Sequence, residues 1–162
     1  MVKQIDLGSF DLSLKEIANI KVRKNIVKGR YDIESISIDS KSSFIIQFLL
    51  SIKSITGITY KVFFWEKDSR IHSFFVSNFQ SKNYQITISY ENGKKPGIFC
   101  VKDTLIDPIF LSILLSNHFN YELGITPSLN LRVQICIDQE QFVCLLDIYD
   151  DRGFDVYYLI DK

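Results

Sequence analysis

Hydrophobic and polar positions alternate most regularly in the last third of the chain, where the pattern predicts a three-stranded antiparallel meander. Leu131, Val133, Ile135 and Ile137 alternate with Arg132, Gln134 and Cys136. A two-residue Gln139-Glu140 loop aligns that apolar face with Phe142, Cys144, Leu146 and Ile148, and sets Arg132 directly opposite Asp147. The following turn takes Asp151, Arg152 and Gly153 as a three-residue loop, with Gly153 in the left-handed region that glycine tolerates. Asp150 then pairs with Phe154, Ile148 with Val156 and Leu146 with Tyr158. One face gathers Leu146, Ile148, Phe154, Val156 and Tyr158, and the other shows Asp147, Tyr149, Asp155 and Tyr157. The meander therefore has an apolar face and an acidic, tyrosine-bearing one.

Upstream the periods change. Asp11 or Ser13 caps a short helix through Leu14, Ile17 and Ala18, and Ile33, Ile36 and Ile38 mark an early strand or extended segment. Asp39 and Ser40 precede Phe44, Ile45, Phe48, Leu49 and Ile52, the spacing of an amphipathic helix that ends at Gly57. Ile58–Trp65 reads as a strand buried on both faces, while Ile71–Phe79 fits strand or helix. Tyr84, Ile86, Ile88 and Tyr90 alternate with polar residues, and Asn92-Gly93 turns the chain into Ile98–Val101. Asp107-Pro108 opens a helix through Phe119 that is apolar nearly all round and so belongs in the core. The expected fold is α+β: a largely antiparallel sheet ending in the meander, with two or three helices packed on it, as a single domain over residues 1–162.

Composition fits that reading and narrows the setting. The chain is 46% hydrophobic with three prolines, and no repeat or low-complexity tract marks a linker. Phe44–Leu50 and Ile109–Leu115, the longest apolar runs, fall short of the roughly 18 residues a membrane helix needs. Met1-Val2-Lys3-Gln4-Ile5-Asp6 lacks a basic-then-apolar leader pattern. Cys100, Cys136 and Cys144 have no metal or redox spacing, and Cys136 and Cys144 point to opposite faces, so three reduced thiols in a cytoplasmic protein are expected. Twenty-four isoleucines and 14 lysines against a single alanine point to a very AT-rich gene, from an AT-rich genome or a mobile bacterial island.

Net charge is zero but divided: residues 1–100 carry net +6 and residues 101–162 net −6. Such asymmetry can mark a partner surface. Lys21, Arg23, Lys24, Lys28 and Arg30 form a basic segment that suits a nucleic acid, although no aromatic platform is interleaved with it. Asp138, Glu140, Asp147, Asp150, Asp151, Asp155 and Asp161 crowd the acidic end, opposed locally by Arg152 and Lys162.

Catalytic signatures are sparse. His72 and His118 are the two histidines, and neither falls in a Ser-His or Cys-His pattern; His118 is read as ending its helix, where an imidazolium suits the dipole. No phosphate-binding glycine loop, HExxH or zinc spacing occurs. The C-terminal aspartates invite a hard cation, but Tyr149 and Arg152 stand where a calcium loop needs a ligand and its turn glycine. No metal and no cofactor are expected.

The run Tyr149-Asp150-Asp151-Arg152-Gly153-Phe154-Asp155-Val156 resembles the closing strand-turn-strand of a family of small bacterial domains of unknown function, which carry a Tyr-Asp-Asp-Arg-Gly-x-Asp-Val block. The resemblance implies a bacterial accessory protein and supplies no activity. Three function classes follow. The first is a non-enzymatic immunity protein that neutralises a cationic nuclease-type toxin encoded beside it, through Asp147, Tyr149, Asp150, Asp151, Asp155 and Tyr157, with Arg152 either meeting the partner or holding its acidic neighbours in place. The second is a small enzyme with a site assembled from scattered residues. The third is a regulatory or nucleic-acid-binding module using residues 21–30. The first is the leading expectation.

Overall fold

The computed structural model describes residues 26–65, 69–79, 82–87, 96–126, 128–139 and 142–160. Among the described residues seven strands form one sheet: β1 (Ile26–Asp32), β2 (Ile55–Phe64), β3 (Tyr84–Thr87), β4 (Gly97–Asp103), β5 (Leu131–Gln139), β6 (Phe142–Ile148) and β7 (Gly153–Ile160). Their spatial order is β1-β7-β6-β5-β2-β4-β3, and every neighbouring pair is antiparallel. Three helices occur among the described residues: α1 (Ile38–Leu50), α2 (Ser69–Phe79) and α3 (Pro108–Glu122). The architecture is α+β with an antiparallel sheet.

All three helices pack on one sheet face, for a reason visible in the alternation. Ile58, Tyr60, Val62, Phe64, Phe99, Val101, Val133, Ile135, Ile137, Cys144, Leu146, Ile148, Phe154 and Val156 point to that side and are buried. Ile45 and Leu49 of α1, Phe75 and Phe79 of α2, and Phe110, Leu111, Leu114, Leu115 and Phe119 of α3 cover them. Phe75 stacks on Phe99 with ring centroids 3.9 Å apart, fixing α2 over β4.

Helix α3 is set by its ends. Asp107 caps it by accepting the Phe110 N–H at 3.0 Å on Oδ1, and Pro108 occupies the first turn, where no donor is required. At its other end Gly124 is left-handed, at φ +67°. The Gly124 N–H bonds to the Tyr121 carbonyl and the Ile125 N–H to the Asn120 carbonyl, a Schellman closure. One side of α3 nevertheless meets solvent, since Ile109 is 75% exposed, so it is a core helix along one stripe only. Lys82 bridges Asp103 at 2.6 Å and Asp107 at 2.8 Å, tying the start of α3 to the end of β4.

Several boundaries differ from the sequence reading. The helix expected after Asp39-Ser40 begins at Ile38 and takes both residues into its first turn, because Ser37 supplies the extended N-cap. It stops at Leu50, and Gly57 lies inside β2 beside a bulge opposite β5. No strand forms over Ile33, Ile36 and Ile38: Ile33 and Ile36 lie between β1, which ends at Asp32, and α1, which begins at Ile38. Ile71–Phe79 is helical. The helix expected from Asp11 or Ser13 and the Asn92-Gly93 turn lie outside the described residues.

Ser54, just before β2, is left-handed at φ 58°, a conformation that costs a non-glycine residue about 1 kcal/mol or more. Ser54→Asn should therefore raise stability by about 0.5 kcal/mol, because asparagine tolerates that region better. An unchanged midpoint in urea unfolding would count against the strain.

Candidate functional site

The C-terminal hairpin divides its side chains as the alternation predicts, but in a different register. Leu146 pairs with Val156 and Asp147 with Asp155. Each partner is thus two residues from its expected position, and the connection is Tyr149-Asp150-Asp151-Arg152. Gly153 is not left-handed; it is the first residue of β7, opposite Asp32. The turn is shaped instead by Asp150, whose Oδ1 accepts the Arg152 N–H at 2.9 Å while Oδ2 receives Nε and Nη2 at 3.0 and 2.7 Å. Burial pushes the Asp150 carboxyl up, but the Arg152 guanidinium and backbone N–H outweigh it and hold it below the usual carboxylate range.

The β5–β6 register is displaced by the same amount. Gln134 is directly opposite Asp147, so Arg132 is its diagonal neighbour. The expected pairing of Arg132 with Asp147 is still made, because a diagonal neighbour lies within reach of a long side chain. It is bidentate: Nε is 3.0 Å from Oδ1 and Nη2 is 2.7 Å from Oδ2.

A row of charge crosses four strands on the sheet face opposite the helices. From β1 to β5 it runs Arg30, Asp155, Asp147, Arg132. Two like charges directly opposite one another are unfavourable, and both carboxylates are buried. Each is offset from its outer side: Arg30 Nη1 is 3.2 Å from Asp155 Oδ1, and Arg132 grips Asp147. The Tyr157 hydroxyl donates to Asp155 Oδ2 at 3.4 Å. Burial and the Asp155 and Asp147 carboxylates raise the Tyr157 phenol well above its ordinary value, so it remains a donor at neutral pH. Arg30 also lies over the Tyr149 ring at 5.5 Å and hydrogen-bonds its hydroxyl.

The expected binding residues therefore fall into two groups. Asp147, Asp155 and Tyr157 are buried in the charge row and hold strands together. Tyr149, Asp150, Asp151 and Arg152 form the turn. Asp151 in turn neutralises Lys41 of α1, which is only 3% exposed; Lys41 Nζ is 3.5 Å from the Asp151 carboxylate and 2.5 Å from its carbonyl oxygen. An open acidic face is thus replaced by carboxylates that each have a cation of this chain.

Sequence reading missed the surroundings of the turn. The Ile33 N–H bonds to the Arg152 carbonyl at 2.8 Å, which brings the β1–α1 connection against it. Tyr31 stacks on Phe154 at 5.2 Å and lies 6.5 Å from Phe44; both Tyr31 and Phe44 are 38% exposed. Glu34 is exposed on that connection, as are Asp32 at the end of β1 and Asp39 in the first turn of α1, and Glu122 ends α3 nearby. Burial, then the Asp151 and Asp150 charges, raise the Glu122 carboxyl above its ordinary value. Proximity of Tyr31 to the turn had no local signal, since it depends on pairing β1 with β7.

His118 lies inside α3, fully buried, and its Nδ1 is 2.6 Å from the Leu131 carbonyl oxygen. Burial lowers its pKa, so the neutral ring replaces the imidazolium expected at a helix end. Cys100, Cys136 and Cys144 are free thiols, and burial pushes Cys136 and Cys144 up to about 12, which keeps them from acting as thiolates. Among the described residues no three His, Cys, Asp or Glu side chains are grouped to hold a metal ion, and no helix is long and apolar enough to cross a membrane. Of the basic segment 21–30, Lys21, Arg23 and Lys24 lie outside the described residues, and Arg30 is engaged with Asp155 and Tyr149. In comparisons with known proteins, no family model, curated protein or solved structure matches the chain.

Proposed function

We propose that this protein works by binding, as an immunity protein that neutralises a cationic nuclease-type toxin domain, and that its contact surface is the turn end of the sheet. The observation that carries this reading is the juxtaposition of exposed carboxylates with half-exposed rings. Glu34, Asp32 and Glu122 surround the Asp150–Arg152 turn, with Tyr31 and Phe44 beside it. Aromatic anchors supply contact area at low entropic cost, and a rim of one charge sign speeds encounter with a partner of the other. The bacterial setting implied by the Tyr149–Val156 block and by AT-rich coding agrees with it.

The buried pairs decide which residues test the proposal. Reversing Asp151 would strand Lys41, and altering Asp150 would dismantle the turn, so neither reports on binding alone. Glu34 and Glu122 are exposed. The double variant Glu34→Lys/Glu122→Lys should fold normally. Its association with the product of the neighbouring open reading frame should slow about tenfold at low ionic strength, and the difference should shrink in high salt. Equal association rates for variant and parent at both salt concentrations would place the contact elsewhere.

A further inference from the structure

We propose that His118 is a proton-operated latch between α3 and the Asp150–Arg152 turn: the neutral ring holds β5 alone, and the imidazolium also ties down the Asp150 carbonyl. The geometry starts from Leu131, whose carbonyl oxygen can only accept. Nδ1, 2.6 Å away, therefore carries the hydrogen, and a neutral ring leaves Nε2 as a bare acceptor. Nε2 is buried and has no hydrogen-bond partner. Leu131 lies two residues before Val133 and Asp150 two residues after its β6 partner Ile148, so the Asp150 backbone is the second acceptor near the ring. Two acceptors cannot satisfy one another, so this side of the ring gains a bond only when Nε2 takes up a proton.

The charges around the ring act in the same direction. Asp150 and Asp151 face it from the turn and favour the imidazolium. Glu122 lies one helical turn further along α3 and interacts with both. Arg152 on Asp150 and Lys41 of α1 on Asp151 partly offset them. Burial opposes protonation and outweighs these charges, so the ring titrates below its ordinary value of 6.5. As pH falls from that value the unfolded chain takes up this proton before the folded chain does. Stability is therefore greatest above it and declines until the folded ring is protonated. At that point the latch closes and the turn is drawn to α3. The inference concerns contacts within this chain and stands apart from the identity of any partner.

The test is an NMR titration of the isotopically labelled full chain from pH 8 to pH 4.5, with His72→Gln distinguishing the two histidines. His118 should carry its hydrogen on Nδ1 at high pH and show one midpoint below 6.5. The Asp151 and Arg152 amides should shift with that midpoint, and their hydrogen-exchange protection should rise about tenfold through it. In His118→Gln this step should vanish, leaving only the carboxylates to titrate. Turn amides that follow carboxylates alone in the parent protein would overturn the latch. So would a ring that carries its hydrogen on Nε2 at high pH, or one that stays neutral until the protein unfolds. Both readouts in the parent protein decide the matter even if His118→Gln does not fold.

Discussion

Arg132→Ala should lower the free energy of unfolding by about 3 kcal/mol, the lower end of the range for losing one partner of a buried ion pair. Arg132 places two nitrogens on the Asp147 carboxylate, which is 2% exposed. Removing the guanidinium leaves that charge beside Asp155, the like charge directly opposite on β7. Gln134 Nε2, 3.2 Å from Asp147 Oδ1, remains as a donor and keeps the loss from being larger. The double change Arg132→Met/Asp147→Leu should recover most of the stability, because it removes the stranded charge along with its partner. Urea unfolding of the parent, Arg132→Met, Asp147→Leu and the double variant measures the coupling. A loss below about 1 kcal/mol for Arg132→Ala would mean that the pair behaves like a solvent-exposed one.

That coupling also shows what kind of information the sequence carries. Both hairpin registers differ from the expected ones by two residues, and a slip of two leaves every side chain on its original face. Alternation could therefore assign Leu146, Ile148, Phe154 and Val156 to the core without fixing their partners. Turn length settles the partners, and in the second hairpin it depends on Asp150 binding the Arg152 N–H rather than on Gly153. The start of α3 was legible because Asp107-Pro108 acts within one turn of helix. Residues 71–79 were not, because Ile71, Phe74, Phe75 and Phe79 leave the period open until packing on Phe99 selects the helix. For the candidate site, Arg132 on Asp147 and Arg152 on Asp150 were legible, but the cations of Asp151 and Asp155 were not. Arg30 reaches Asp155 across 125 residues of sequence, through a β1–β7 pairing that no local pattern announces.

Gly153→Val should destabilise the fold by about 2–3 kcal/mol, the cost of overpacking a site with no room to relax. The cause is close approach of β1, since Gly153 has no positive φ to preserve. A Cβ there would sit 2.5 Å from the Tyr31 carbonyl oxygen, 2.9 Å from Arg30 Nη2 and 3.1 Å from Arg30 Cζ. The Arg30 contacts belong to a side chain that could swing aside, although doing so would weaken its bond to Asp155. The carbonyl is backbone, held in the β1–β7 ladder, and can yield only if the strands separate. Asparagine separates this explanation from a turn requirement. It tolerates the left-handed region, so Gly153→Asn would be mild if backbone conformation were the constraint. On the steric account Gly153→Asn should be about as damaging as Gly153→Val, and Gly153→Ala should already show much of the loss, because the clash begins at Cβ. Thermal unfolding of the three variants gives the comparison; an asparagine variant as stable as the parent would return the glycine to a conformational role.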